Sequence, residues 1–365
     1  MMKSSEMSVR QSSTQTDEHI LSAQVGHNSE ATVKLGILGC SGIVPRAVLD
    51  PAPYVDGLDI VGVANRTLSK AESLAEHYGI ATIYGDLEEL LADPQLDAVY
   101  IGLSNELHAT WIRKALSAGK HVLVEKPLCL HPQELPMIGA AAQHHGLQVI
   151  EGVMVAHHPW QHTLRECISS GEYGALVRTV TQLTIPAKED HHDNYRSHPE
   201  QGGGCFWDLG CYWLQFLQQV IGIQHSEFEG RSSFDGPNGC DWTFEAQAQL
   251  ANGVTAEALF SFEKPYSSRH VIYLEKAKIT INDFFRCNLG FYKLKLKIAL
   301  IENGQETGEV RYHTFEPMNY YVNQLRFFRD TINHHQHHHL FAESVERIQL
   351  LSHIHATAKA KSVIS

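Results

Sequence analysis

The sequence predicts an α/β fold: an N-terminal doubly wound parallel sheet followed by a C-terminal α+β domain built on an open antiparallel sheet. Three observations predict it. Short apolar runs alternate with helical stretches up to about residue 152. The first run ends in a glycine-rich turn, Gly39-Cys40-Ser41-Gly42. Beyond residue 152 the pattern changes to strict alternation of apolar and polar side chains. Strands alternating with helices give a parallel sheet covered on both faces, whereas period-two alternation gives strands with one wet face.

The elements follow in order. Residues 1–31 are rich in Ser, Gln, Thr and Glu, lack a signal-like apolar stretch and are expected to be a disordered tail. VKLGILG, residues 33–39, reads as a buried parallel strand, and a helix is expected through Arg46 and Leu49. Leu58 to Ala64 is a second strand, and SKAESLAEHYG a helix stopped by Gly79. Strands are expected at 98–103, 121–124 and 147–150, with helices at 109–118 and 133–145 between them. This first unit spans 32–152 and the second 153–365. In the second, TFEAQAQL (243–250) and YKLKLKI (292–298) alternate cleanly. Similar runs lie near 176–185, 254–262, 270–281 and 309–315, and helices are expected at 205–221 and 319–332.

Composition bounds the function. The 365 residues are 43% hydrophobic and 19% charged, enough for a sizeable core. Lys and Arg number 29 against 41 Asp and Glu, giving 29 − 41 = −12. An acidic chain repels phosphate backbones, so nucleic acid is not an expected partner. No apolar run approaches the ~20 residues that cross a bilayer. The seven cysteines (Cys40, Cys129, Cys167, Cys205, Cys211, Cys240 and Cys287) form no C-x-x-C pair. They read as buried reduced thiols and suit a cytoplasmic protein.

The glycine turn lies where a strand meets a helix, the place where backbone approaches a pyrophosphate and the helix N-terminus receives it. Gly39, Cys40, Ser41, Gly42 and Ile43 are the candidate cofactor residues. The G-x-G-x-x-G pattern is degraded, with Ser41 and Val44 in place of its second and third glycines. At the end of the second strand, a carboxylate would bind the ribose hydroxyls of NAD. Asn65 and Arg66 stand there instead, with Lys70 one turn on. Either Arg66 clamps a 2′-phosphate or it begins a helix in solvent. The missing carboxylate favours the former, so NADP is the expected cofactor and NAD the alternative.

Glu125-Lys126-Pro127, after AGKHVLV, and GGGCFWDLGCY at 202–212 occur in an order and spacing that resemble the glucose–fructose oxidoreductase / inositol dehydrogenase (Gfo/Idh/MocA) family. Within it, LGILGCSGI, HHP at 157–159, LTIPAK at 183–188 and the NYR before the glycines look most like nucleotide-sugar 3-ketoreductases. The resemblance implies a Rossmann domain, a C-terminal domain whose sheet face makes homodimers or homotetramers, and a cleft where nicotinamide meets a sugar. It implies that Glu125, Lys126, Pro127 and the loop holding Ser104, Asn105 and His108 lie against the cofactor. It implies that Tyr212 is the proton donor, that Arg196 and Tyr195 touch substrate and that His158 lines the cleft. From the residues alone, Ser104, Asn105 and His158 suit helix caps equally well, Arg196 a loop salt bridge, and Tyr212 a core tyrosine.

The chemistry agrees with the resemblance. Reducing a ketone needs a hydride, a proton donor and a group that stabilises negative charge on oxygen. Lys126 ends a parallel strand at its carboxyl edge, where ligands of such sheets bind. Asp208 and Tyr212 are four apart at a helix start and share a face, so Asp208 either orients Lys126 and substrate or caps the helix. Lys126 is expected to lower the pKa of the tyrosine. The 24 histidines include His191-His192-Asp193 and a run at 334–339, but neighbours along a loop do not converge on a metal, and none is expected. Two competing readings remain. One is a non-catalytic NADP-binding sensor, disfavoured by the presence of Lys126, Asp208 and Tyr212. The other is a trans-dihydrodiol or xylose dehydrogenase, with Trp160, Trp207 and Trp213 lining an apolar pocket.

Overall fold

The structure, a computed structural model, describes residues 31–188, 194–334 and 340–362. The expected tail up to residue 30, His191–Asp193 and residues 335–339 lie outside them.

The first sheet has six parallel strands: β1 (Val33–Leu38), β2 (Leu58–Ala64), β3 (Thr82–Tyr84), β4 (Ala98–Ile101), β5 (His121–Glu125) and β6 (Val149–Gly152). Their order, β3-β2-β1-β4-β5-β6, is that of a Rossmann sheet. Helices α1 (Leu68–Tyr78), α2 (Leu87–Ala92), α3 (His108–Ser117) and α4 (Leu135–His145) connect them. The strands are apolar because both faces are covered: every residue of β4 is buried.

In this first unit two details differ from expectation. The stretch after β1 forms only a π-helical turn, Pro45–Leu49, followed by a 3-10 turn at Ala52–Tyr54. Pro51 and Pro53 lack the N–H groups that would extend a ladder there. An additional edge strand, β3, and the short α2 also form. β3 has three residues and two of them are exposed, too short for a periodic signal. Asp86 caps α2 by accepting from Glu89 N–H at 2.7 Å.

The second sheet has eight strands, β7 (Leu176–Thr184), β8 (Glu227–Arg231), β9 (Thr243–Gln249), β10 (Thr255–Ser261), β11 (Ser267–Leu274), β12 (Ala277–Asn282), β13 (Lys295–Glu302) and β14 (Gln305–Thr314). They are ordered β14-β13-β12-β11-β7-β10-β9-β8 and antiparallel except where β7 meets β10. In β9, Phe244, Ala246 and Ala248 are buried while Glu245, Gln247 and Gln249 face water, as the alternation demands. Helices α5 (Trp160–Ser169), α6 (Cys205–Phe216), α7 (Tyr320–Asn333) and α8 (Leu340–Ser362) complete the chain. All twelve residues of α6 are buried. Trp160, Trp207 and Trp213 belong to the core, which removes the support for an apolar diol pocket built from them. No described helix is long and apolar enough to cross a membrane.

The last helix returns to the first sheet. Arg347 of α8 donates to Glu151 Oε2 of β6 through Nη2 (2.6 Å) and Nε (3.2 Å), with side chains 5% and 1% exposed. Glu151 Oε1 in turn accepts from Leu128 N–H at 3.0 Å, immediately after the Lys126–Pro127 turn. Arg347→Met leaves that carboxylate buried without its cation, and unfolding in urea is expected to show a loss of about 3–5 kcal/mol. A loss below about 1 kcal/mol, the value of an exposed pair, would mean that the bridge is not buried in solution.

Candidate active site

The first cradle lies at the carboxyl edge of β1. Gly39 has φ +96°, and a Cβ there would stand 2.6 Å from Gly102 O, so only glycine fits. Its N–H donates to Ala64 O at 2.8 Å, and the Cys40 N–H donates to Asn65 Oδ1 at 3.1 Å. Asn65 also donates from Nδ2 to Thr67 O at 2.9 Å, so its side chain ties the β2 end to the glycine turn. The Ser41 hydroxyl oxygen is buried without a partner among the described residues. A Cβ on Gly42 would meet nothing within 4 Å. An orphan hydroxyl beside open backbone fits a phosphate-bearing ligand. Ile43 packs half-buried against the core. Arg66 and Lys70 are exposed beyond the turn, and Arg66 forms no ion pair among the described residues. Burial pushes the Cys40 thiol up to about 11 against the pull of Lys70.

The loop after β4 faces inward. Ser104 Oγ donates to Glu106, and the buried Asn105 donates from Nδ2 to Gly202 O at 3.4 Å. His108 is wholly buried between two backbone carbonyls, Pro127 O at 2.7 Å and Leu103 O at 3.1 Å. Glu125 is buried as well. Its Oε1 accepts from Tyr100 OH at 2.7 Å, and burial raises its pKa.

The second cluster joins β5 to α6. Lys126 Nζ donates to Asp208 Oδ1 at 2.6 Å and to Asp208 O at 2.9 Å. Arg196 Nε donates to the other carboxylate oxygen at 3.0 Å, and Tyr195 OH donates to Oδ1 at 3.4 Å. Burial opposes the charge on Asp208, yet Arg196 and then Lys126 outweigh it and hold the carboxyl well below the usual range. Burial likewise opposes the Lys126 ammonium, and the Asp208 carboxylate outweighs it, raising that pKa well above its ordinary value. The stability contributed by Asp208 is therefore present above about pH 3.9 and lost only as pH falls below it; that of Lys126 is present below about pH 10.4 and lost only above it. Both charges persist throughout the neutral range.

Tyr212 lies one turn after Asp208, with the Lys126 nitrogen 5.4 Å from its ring centroid. Burial raises its pKa well above the usual 10, and the Lys126 charge offsets this only in part. Lys126 thus pulls the Tyr212 pKa down as expected, but burial outweighs it and the net shift is upward. Lys126 is committed to Asp208, and the phenol stays neutral. Tyr195 is pushed up to about 12 by burial and by Asp208.

His158 precedes α5. It is buried, its Nδ1 accepts from Trp160 N–H at 3.2 Å at the start of α5, and burial lowers its pKa to about 4. It borders a polar cavity of about 240 Å³ together with His157, Gln161 and Arg165. Among the described residues no group of three or more metal-ligating side chains forms.

Two features escaped the sequence reading. Arg46, four residues after Gly42, lies in electrostatic reach of Tyr321, Tyr212, Tyr320 and Glu125, which raise its pKa against the effect of burial. Its basic character in the first turn was the available signal. Asp241, on the β8–β9 connection, is fully buried and caps α6. Its Oδ2 accepts from Phe206 N–H at 2.7 Å, and its Oδ1 pairs with His355 Nε2 of α8 at 3.1 Å. Gly204, at φ +103°, leaves no room for a Cβ against that carboxylate. Nothing in the local sequence marked Asp241 as the cap.

With this geometry in place, comparison with known proteins is informative. Residues 33–153 match the oxidoreductase family with an NAD-binding Rossmann fold, and 161–280 match the GFO/IDH/MocA C-terminal domain. The chain is 30% identical to D-xylose 1-dehydrogenase (NADP(+)) 2 of Haloferax volcanii, over 80% of its own length and 87% of that protein. It is also 30% identical to the dTDP-3,4-didehydro-2,6-dideoxy-α-D-glucose 3-reductase of Saccharopolyspora spinosa, over 69% and 75% of the two chains. Its fold is that of a 3-ketoreductase from Actinomadura kijaniata solved with NADP and TDP-benzene, with TM-score 0.80, 23% identity, and 89% of this chain and 97% of that one covered. A parallel nucleotide sheet, an antiparallel partner and these matches together make the chain an oxidoreductase of the GFO/IDH/MocA family.

Proposed function

We propose that the chain is an NADP-linked oxidoreductase that interconverts a carbonyl and an alcohol on a sugar or nucleotide-linked sugar, with Lys126 and Tyr212 as its catalytic residues. The observation that carries this is the Lys126–Asp208–Arg196 cluster at the carboxyl edge of β5, a buried carboxylate held by two half-buried cations, with a neutral phenol beside it. Gly39, Cys40, Ser41 and Gly42 hold the pyrophosphate, and the exposed Arg66 and Lys70 receive the 2′-phosphate. When bound, the reduced nicotinamide supplies the hydride.

The protein supplies the rest. An ammonium has three donors, and Lys126 spends two on Asp208. The third binds the substrate carbonyl oxygen and stabilises the charge that develops there. Tyr212, kept protonated by its raised pKa, gives its proton to that oxygen, and the resulting phenolate is stabilised by the nearby ammonium. Arg196 keeps its two Nη groups beyond the Nε bond to Asp208, and these orient substrate hydroxyls together with Tyr195. A non-catalytic sensor has no need of this arrangement. Seven unpaired cysteines support a reducing, cytoplasmic setting.

The outer face of the second sheet supports a homodimer. Across paired strands it runs Glu229, Gln247, Glu257, Val180, Val271, Thr280, Lys297, from acidic to basic. A twofold axis near β7 and β11 lays each acidic edge on the partner's basic edge. In sedimentation, wild type is expected to run as a dimer. Glu229→Lys with Glu257→Lys is expected to run as a monomer, as is Lys295→Glu with Lys297→Glu, and a mixture of the two is expected to dimerise. A monomeric wild type refutes the assembly.

Lys126→Met and Tyr212→Phe each keep roughly the side-chain volume. Single-turnover reduction of a panel of 3-keto sugars, free and nucleotide-linked, is expected to slow by about 10²–10⁴-fold for Tyr212→Phe and severely for Lys126→Met, with NADPH affinity retained. The double variant is expected to lose far less than the product, because the two act on one oxygen. Normal turnover in Lys126→Met would return the chain to the sensor class.

Arg66→Ala is expected to weaken NADPH by about 1.5–3 kcal/mol, the value of a charge-assisted bond, and to leave NADH unchanged in fluorescence titrations. Equal shifts for both would show that Arg66 does not read the phosphate.

A further inference from the structure

His108 entered as a residue facing the cofactor, but its ring faces the protein. The side chain has no exposed surface, and both nitrogens are spent on backbone. We propose that His108 is a positioning residue for Lys126: its Nδ1–H holds the Pro127 carbonyl and, through it, the turn that carries the ammonium. This rests on the reading of Lys126 as catalytic.

The argument starts from the proton count. Carbonyl oxygens only accept, and a neutral imidazole has one N–H. The ring is neutral because burial lowers its pKa. One of its two contacts therefore lacks a hydrogen. The contact to Pro127 O, at 2.7 Å, is the shorter, against 3.1 Å to Leu103 O, and takes the proton. On the far side of the turn, Leu128 N–H donates to Glu151 Oε1 at 3.0 Å. Two side chains, one accepting and one donating, thus fix the peptides that follow Lys126. The same loop reaches the other half of the ion pair, because Asn105 donates to Gly202 O, three residues before α6 begins with Cys205. Residues 103–108 accordingly set the spacing between Lys126 and Asp208. A reacting group displaced by about 1 Å can cost on the order of 10²-fold in rate.

The test uses two amides of different reach. In His108→Asn the amide nitrogen stands near the position of Nδ1; in His108→Gln it stands near that of Nε2. His108→Gln is expected to lower kcat on the order of 10²-fold with NADPH affinity retained, and His108→Asn to recover most of that loss. Equal losses in both overturn the proposal, as does unchanged kcat with weakened NADPH, which would make His108 a cofactor contact. Nitrogen-15 shifts of histidine-labelled wild type, assigned by difference against His108→Asn, are expected to show the proton on Nδ1. The assignment needs only one folded variant, His108→Gln serving where His108→Asn does not fold, and a proton on Nε2 overturns the proposal. Lys126→Met runs alongside. Normal turnover there defeats the catalytic reading of Lys126, whereas the tautomer result still decides which carbonyl His108 holds.

Discussion

One buried carboxylate organises the centre of this protein. Asp208 accepts from Lys126 on one oxygen and from Arg196 on the other, inside a helix with no exposed residue. Isolated, any one of these ions would be expelled or neutralised by the interior. Together these three side chains hold two positive charges against one negative, in a chain that carries −12. On the proposed reading, the Lys126 donor that is not spent on Asp208 would stabilise a developing alkoxide.

The cluster is precise because each of its members is held from outside. α6 is started by Asp241, which His355 anchors to α8. The turn after Lys126 is held by Glu151, which Arg347 anchors to the same helix. The chain's final helix therefore braces both halves of a site made by its middle and its first third. Arg329 of α7 reaches back to Asp56 O in the same manner.

The architecture and the centre of the site were legible in the sequence because both leave short-range patterns. Alternation in β9, the apolar runs of β1, β2 and β4, and the spacing of Asp208 and Tyr212 each follow from local geometry. Lys126 could be placed at a strand end, and Gly39 at a turn that admits no side chain. Orientation was not legible. Asn65, Ser104 and Asn105 have side chains that serve loop and cofactor equally well on paper, and the structure turns all three onto protein partners. His158 was open between cleft and cap, and its Nδ1 accepts a helix-start N–H. Glu151 and Arg347 are 196 residues apart, and no spacing rule joins them.

The pKa pattern follows from the same division between local and distant causes. From sequence, a lysine near a tyrosine suggests an acid made stronger by a cation. In the folded protein the lysine has a closer and stronger partner, and burial of the phenol outweighs the remaining pull. The outcome suits reduction. With Tyr212 as the proposed proton donor, a phenol that stays protonated near neutrality is always loaded, and its proton would leave only when the substrate oxygen has gained negative charge beside Lys126. Burial of the phenol opposes premature proton loss, while on the proposed reading the Lys126 ammonium, fixed in place by a carboxylate that itself takes up no proton in the same range, would stabilise the charge that develops on oxygen.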